Sequence, residues 1–412
     1  MSDERFPEGF MWGTGASSTQ TEGVAPAADL APWVASGRLP DPGDGNGFAT
    51  RYAEDFALLA EHGLTHHRLS LEWARLEPRE GRHDRAEVER YREMLLSARD
   101  AGLSTWVCLH HFTLPGWFSD DLGGFGDERG LTYYWPRHVE WVAETFGDLI
   151  DGWKPINEPV AYAALGHLSG TLPPGRTDLS GFAETLRDVQ LANLDAWRRL
   201  RGGGAPVATV MSLTPLVSRA TGSEPEARDK AREWTTLIDQ VVWGSWIRML
   251  RDGVLDVPMV PPVEVPDAAG AFDLIGFSYY FASAVDEHGS FQPHPLDLEV
   301  GPQGYVRWPG GITTVLERLA DELPGRPLLV SEAGVGTGVT EPGAEELRSR
   351  YMTEIVDRVA DAIAAGIDVR GLFWWTGVDN YEWHSGHDVQ FGLFDRERRP
   401  RDGAELARRW AT

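Results

Sequence analysis

Lysine and cysteine are close to missing from this chain. Lysine occurs only at 154 and 230, so nearly all of the 38 basic side chains are arginine, set against 63 acidic ones. The formal net charge of −25 argues against a nucleic-acid partner or an anionic membrane surface, since both need a basic face. Cysteine occurs once, as Cys108, which excludes an intrachain disulfide and any cysteine-based zinc site. No run approaches the roughly 18 continuous apolar residues of a spanning helix, so no membrane span is expected. The opening MSDERFPEGF carries acidic residues where a signal peptide would have a basic region and then an apolar run. A cytoplasmic location is the expectation.

What is present is enough to bury a large core: 42% of the residues are hydrophobic and 17 are Trp. Short apolar, β-branched or aromatic runs recur. They are FMWGTGA (10–16), THHRLSLEW (65–73), STWVCLHH (104–111), GWKPIN (152–157), VATVMSL (207–213), FDLIGFSYY (272–280), PLLVSEAG (327–334) and GLFWWTGVDN (371–380). Amphipathic stretches lie between them. In EVERYREMLLSARDAG (87–102), Val88, Tyr91, Leu95 and Ala98 share one helical face and Gly102 suits a helix end. RYAEDFALLAEHG (51–63) and RSRYMTEIVDRVADAIAAG (348–366) repeat that design. Strands alternating with helices mean βαβ units and a parallel sheet. Eight strands are the number that closes a (β/α)8 TIM barrel, of class α/β, here one catalytic domain over residues 1–412. The rival, a doubly wound open sheet, would place GxGxxG after the first strand; the chain reads WGTGASSTQ there. The stretch PLDLEVGPQGYVRWPGG (295–311) has the length and the aromatic, Gly-rich composition of an active-site loop.

In such barrels the chemistry sits at the C-terminal strand ends. Reading down those ends gives Gln20 and Glu22 after the first, Arg68 and then Glu72 on the second, His110 and His111 on the third, and Asn157 and Glu158 on the fourth. Ser278, Tyr279 and Tyr280 end the sixth and Ser331 and Glu332 the seventh; the eighth runs into Trp374, Trp375, Glu382 and Trp383. Tryptophan faces stack on sugar rings, while amides, carboxylates and imidazoles bind their hydroxyls. A pair of carboxyls is what glycosidic cleavage needs, one to protonate the leaving oxygen and one to attack or support the anomeric carbon. The residues point to a glycosidase.

These segments resemble glycoside hydrolase family 1, the retaining β-glycosidases, in order from FPEGFMWGTGASSTQTEG to FGLFDRE. The motifs that carry the likeness are NEP (157–159), SEAG (331–334), HHFTLPGWF (110–118), LIGFSYY (274–280) and WWTGVDNYEW (374–383). The resemblance implies Glu158 as acid/base and Glu332 as nucleophile, with Arg68 and Tyr280 contacting the nucleophile and keeping it ionised and aimed. It implies Asn157 on the 2-hydroxyl, Gln20, His111, Glu382 and Trp383 on the other ring hydroxyls, and Trp375 as the stacking floor. The chain departs from the family pattern at Ala333 and Ser278, where asparagine is usual, and at Phe112, where tryptophan is usual; these bear on substrate fit and rate. The segment between Gly23 and Arg51 is short for the family, which implies an open mouth that admits a bulky aglycone.

The expected mechanism is double displacement with the two carboxyls about 5 Å apart and a covalent glycosyl-enzyme on Glu332. Gln20 and Glu382 offer a flexible grip on the 4-hydroxyl region, so glucosides, galactosides and fucosides all fit. The segment WHSGHDVQFG (383–392) has no lysine or arginine to hold a 6-phosphate. No cofactor and no metal is called for, since neighbouring strand residues face opposite ways and each histidine pair offers one inward imidazole. A small-molecule glycoside is the expected partner, and a homo-oligomer is compatible with the composition. A sugar-binding protein that has lost catalysis on the same barrel is the alternative, and a metal-dependent barrel hydrolase a further one. Trp374 is expected to pack outward, Trp234, Trp243 and Trp246 to be core, and Cys108 to be buried in mid-strand.

Overall fold

The computed structural model describes residues 3–294 and 297–411. Pro295 and Leu296, at the head of the long loop, lie outside the described residues, as do Met1, Ser2 and Thr412. Eight strands share one sheet: β1 (Met11–Gly15), β2 (His66–Ser70), β3 (Ser104–Cys108), β4 (Gly152–Trp153), β5 (Met211–Ser212), β6 (Ile275–Tyr279), β7 (Leu328–Ala333) and β8 (Val369–Trp375). They lie in the order β4-β3-β2-β1-β8-β7-β6-β5, every pairing parallel. A parallel bridge between Trp153 and Val207 joins the two edges, with Ala208 N–H donating to the Trp153 carbonyl at 2.8 Å. The sheet therefore closes, and it is a (β/α)8 barrel. All eight predicted runs supply a barrel strand.

Helices follow the strands in turn, among them Phe48–Glu61, Arg85–Asp100, Leu179–Leu200 and Ala344–Ala364. The first two and the last match the amphipathic stretches read from the sequence. Asp84 opens Arg85–Asp100 by accepting from the backbone N–H of Ala86 at 2.8 Å and Glu87 at 3.3 Å, the usual role of a short acidic side chain at a helix start. The face that helix buries is Tyr91, Met94, Leu95 and Ala98. Among the described residues no helix is long and apolar enough to cross a membrane.

Strand alternation sorts side chains between two layers. On β2, the His66 ring lies 6.1 Å from Phe373, in the small cluster with Trp106, Ala208 and Leu329 that fills the barrel. His67 turns the other way, bonding Thr14 Oγ1 at 2.8 Å and packing against Phe48 and Phe56 of the first helix. Trp374 likewise packs outward on Trp410. Three expectations are corrected. Trp234 is 41% exposed, because it lies over Gly289 on an outlying hairpin rather than in the core; Trp243 and Trp246 are fully buried. Cys108 is buried, but as the last residue of β3. The fourth strand pairs regularly over two residues only, since Pro155 has no N–H to continue the ladder. Its extension survives as single bonds: Lys154 N–H to the Val107 carbonyl at 2.8 Å, Asn157 to His110 at 2.9 Å and Glu158 to Val210 at 2.9 Å.

Candidate active site

Those last bonds aim the end of strand four. Asn157 is held by the strand-three side and Glu158 by the strand-five side, and Glu158 adopts a left-handed φ of 44° immediately before Pro159, which starts the short helix Pro159–Ala163. A non-glycine residue there costs about 1–3 kcal/mol and persists only where its surroundings impose it. On β7, the register against β6 shifts between Val330 and Glu332, an irregularity of the kind that re-aims a strand-end side chain. Glu158 and Glu332 line one cavity of about 260 Å³ at the C-terminal mouth of the barrel.

Both Glu332 oxygens are bound. Arg68 Nη1 donates to Oε1 and the Tyr280 hydroxyl donates to Oε2 at 2.7 Å. The other guanidinium nitrogen of Arg68 donates to Asn157 Oδ1 at 2.6 Å and lies 3.1 Å from His111 Nδ1. One buried arginine thus ties strands two, three, four and seven together. Burial and the adjacent Arg68 charge hold His111 well below the usual imidazole range, so it is neutral. Burial and the Glu332 charge hold the Tyr280 phenol well above its ordinary range, keeping it a donor.

Glu158 differs from its partner. Burial first, and then the charge of Glu332, push its carboxyl up to about 8. At neutral pH it carries the proton, opposite a carboxylate gripped by two donors. The third carboxyl, Glu382, is also pushed up to about 8 by burial, while its Oε1 accepts from Trp375 Nε1 at 2.9 Å.

The cavity also brings together Gln20, Asn157, His111, Trp375 and Trp383, so every sequence-predicted sugar-binding residue borders one space. The His111 and Trp375 rings lie 5.7 Å apart and nearly parallel. Gln20 departs from the expected flexible grip. Its amide donates to the Tyr381 carbonyl at 2.8 Å and accepts from Ser17 at 2.7 Å, which pins it. No lysine or arginine is among the residues that line this cavity. Sequence reasoning missed Gln303 and Tyr305, which reach the cavity from the long loop after β6; Gln303 approaches Glu382 at 3.5 Å. It also missed Ser212, Phe281 and Phe391. The loop's aromatic, Gly-rich composition was the available signal for the first two.

Comparison with known proteins agrees with this geometry. The family model for glycosyl hydrolase family 1 matches residues 2–409. The coniferin β-glucosidase of Pinus contorta is 26% identical, the match covering 98% of this chain and 91% of that protein. β-Glucosidase A of Thermotoga maritima is 24% identical over 95% of this chain and 93% of its own. Among solved structures, a β-glycosidase from Pyrococcus horikoshii superposes with a TM-score of 0.86 at 28% identity, covering 98% of this chain and 94% of that one. The Thermotoga maritima family 1 β-glucosidase has the same fold, with a TM-score of 0.86 at 22% identity, covering 98% of this chain and 97% of that one.

Proposed function

The chain belongs to glycosyl hydrolase family 1 and is a β-glucosidase-like glycoside hydrolase, and from that premise we propose that it hydrolyses the β-glycosidic bond of small glucosides by retaining double displacement, with Glu158 as acid/base and Glu332 as nucleophile. In the first step Glu332 attacks the anomeric carbon as Glu158 gives its proton to the departing oxygen, leaving a covalent glycosyl-enzyme and a free aglycone. Having given up its proton, Glu158 is a carboxylate, and esterification of Glu332 removes the charge that is the second cause of its raised range, so it stays ionised and can act as the base. It then takes a proton from water as that water attacks the anomeric carbon, releasing the sugar with its configuration retained. Asn157, fixed through Arg68, binds the 2-hydroxyl, where contacts strengthen in the transition state. Trp375 forms the floor, and Gln20, His111, Glu382 and Trp383 hold the remaining hydroxyls.

The observation that carries this reading is the asymmetry of the pair: a buried, proton-holding Glu158 facing a Glu332 bound by Arg68 and Tyr280 in the same cavity. That the relatives are β-glucosidases supports glucosides ahead of galactosides and fucosides, and Gln20 presents one fixed amide geometry at the 4-hydroxyl region. A cavity lining without basic side chains suits an unphosphorylated sugar. Ala161, Ala164 and Leu165, which follow Glu158 in the chain, add apolar side chains without rings to the lining, which supports room for an aglycone there.

Replacing Glu332 by Gly is expected to abolish hydrolysis of an aryl β-glucoside, and azide or formate to restore it in part. Glu158→Ala is expected to lose far more rate on poor leaving groups than on nitrophenyl glucosides. Proton NMR of the first-formed sugar reads the anomer directly. An inverted product, or a Glu332→Gly protein that keeps its activity, would overturn the assignment.

A further inference from the structure

A cavity of about 470 Å³ lies on the flank of the barrel, apart from the catalytic one; among the described residues none borders both. One wall is the helix Ala344–Ala364, which presents Leu347, Arg350, Tyr351 and Glu354 at spacings of three and four, a single helical face. The other is the long loop after β6, which doubles back as a hairpin: Val300 bridges Val306, and Arg307 N–H donates to the Glu299 carbonyl at 3.0 Å. That wall is anchored. The Tyr279 hydroxyl, at the end of β6, donates to the Trp308 carbonyl. The Arg307 guanidinium donates to Glu299 and Glu341 at 2.8 Å each and to the Gly336 carbonyl at 3.0 Å. Trp308, half-buried, is thereby fixed against the cavity.

Polar groups in this frame stand without partners. Tyr351 is 3% exposed, yet its hydroxyl meets no hydrogen-bond partner among the described residues, and neither does Arg307 Nε. Burial, and then the Glu354 charge, hold the Tyr351 phenol above its ordinary range, so it stays a donor. A buried polar group without a partner is unfavourable and calls for one. At the rim the exposed side chains of Asp297 and Arg350 form no ion pair or hydrogen bond among the described residues. An anion would find one uncommitted guanidinium, Arg350, set among Asp297, Glu299 and Glu354, in a chain of net charge −25. A cation would meet Arg350 and Arg307. An apolar ligand would leave the Tyr351 hydroxyl unpaired. A neutral saccharide avoids all three conflicts: its ring face suits Trp308, and its hydroxyls suit donors and carboxylates together. Size sets the extent, since a cavity of about 150 Å³ holds one benzene ring and roughly two sugar rings with their hydroxyls therefore fit here.

We propose that this flank cavity is a second, non-catalytic binding site for a neutral oligosaccharide, with Trp308 as its stacking platform, Tyr351 and Arg350 as donors to hydroxyls, and Asp297 and Glu354 as acceptors. It goes beyond the glucosidase reading and does not rest on it.

Equilibrium dialysis of labelled cellotriose against the Glu332→Gln chain, which is expected not to turn it over, counts the sites; two molecules per chain are expected. Trp308→Ala and Arg350→Ala, each added to that chain, are expected to weaken one of the two sites about tenfold and to leave the other as it was, the effect of losing one stacking or one charged hydrogen-bond partner. Arg350 is exposed, so its replacement spares the fold even if Trp308→Ala does not, and thermal melts check both. With Glu332 restored, both variants are expected to hydrolyse phenyl β-glucoside at the unmodified rate. One cellotriose per chain that neither substitution moves, or a second that neither weakens, would overturn the proposal. So would displacement of the flank-bound sugar by inorganic phosphate. If the unmodified chain hydrolyses no aryl glucoside yet cellotriose still binds where both substitutions weaken it, the flank site stands and the glucosidase reading falls. Hydrolysis of phenyl glucoside with no second cellotriose site sinks the flank site alone.

Discussion

At Glu332 the two oxygens have different keepers, a guanidinium on one and a phenol on the other. Removing the phenolic donor leaves the arginine in place, so charge balance survives while aim and preorganisation suffer. Tyr280→Phe is therefore expected to lower kcat on an aryl glucoside by roughly a hundredfold, the order seen when one preorganised donor is lost from an active site. KM should move much less. Steady-state kinetics checks this, and a loss confined to KM would mean that Tyr280 serves binding alone. Lys154 poses the opposite case, a buried group that the proposed chemistry does not use. Its Nζ lies 3.8 Å from the Phe373 ring centroid and 5.4 Å from that of Trp106, with no hydrogen-bond partner among the described residues. Burial, and then the Arg68 charge, hold its amine well below the ordinary lysine range. Methionine has similar reach and no charge to desolvate. Lys154→Met is expected to stabilise the fold by on the order of 1–3 kcal/mol, read as a higher unfolding midpoint in urea.

Elements were legible where local pattern and tertiary role agree. All eight barrel strands announce themselves as short apolar runs because both faces of a closed parallel sheet are covered, one by helices and one by the packed interior. The catalytic pair was legible for the related reason that strand ends point at the site. What stayed hidden was set by contacts distant in sequence. Tyr305 and Gln303 reach the cavity only because the loop after β6 folds back over the mouth. The pinning of Gln20 depends on Tyr381, a neighbour brought there by barrel closure between the first and eighth strands. Trp234 misled because helical spacing reports a shared face and not what covers it; here a hairpin glycine covers only part of the ring. Helix ends are local again, which makes them testable one at a time. Asp84→Ala removes the acceptor for two backbone N–H groups at the start of Arg85–Asp100. It is expected to destabilise the fold by about 1 kcal/mol and to leave kcat for an aryl glucoside as it was, with thermal unfolding and steady-state rates as the measurements.

Across the whole molecule, buried titratable groups of two kinds set a pH window. Burial pushes Glu158, Glu382 and Asp29 each up to about 8. They stay protonated in the folded chain at pH values where the unfolded chain has released those protons, so their contribution is complete below the ordinary carboxylate range and is lost as pH rises towards 8. Histidines run the other way. Burial lowers His66 and His167 to about 4 and His67 and His110 to about 3, and holds His111 and His138 well below their usual range. The unfolded chain protonates all six near pH 6.5 and the folded chain does not, so their contribution is lost as pH falls below that point. Below pH 6.5 the two kinds oppose each other, and Glu22, Asp55 and Asp188, also raised by burial, add to the carboxyl side. Between pH 6.5 and 8 the histidines are largely neutral in both states, while Glu158, Glu382 and Asp29 favour the folded chain less with each step upward, so stability is expected to fall over that range, as thermal midpoints would register. Activity should follow a different curve at its basic end. Hydrolysis needs the proton on Glu158, so kcat/KM for an aryl glucoside should fall as pH rises through about 8, while melts at the same pH still report folded protein. If rate and folded fraction declined together, the basic limb would belong to unfolding; if the rate held level beyond pH 9, Glu158 could not be the group that supplies the proton.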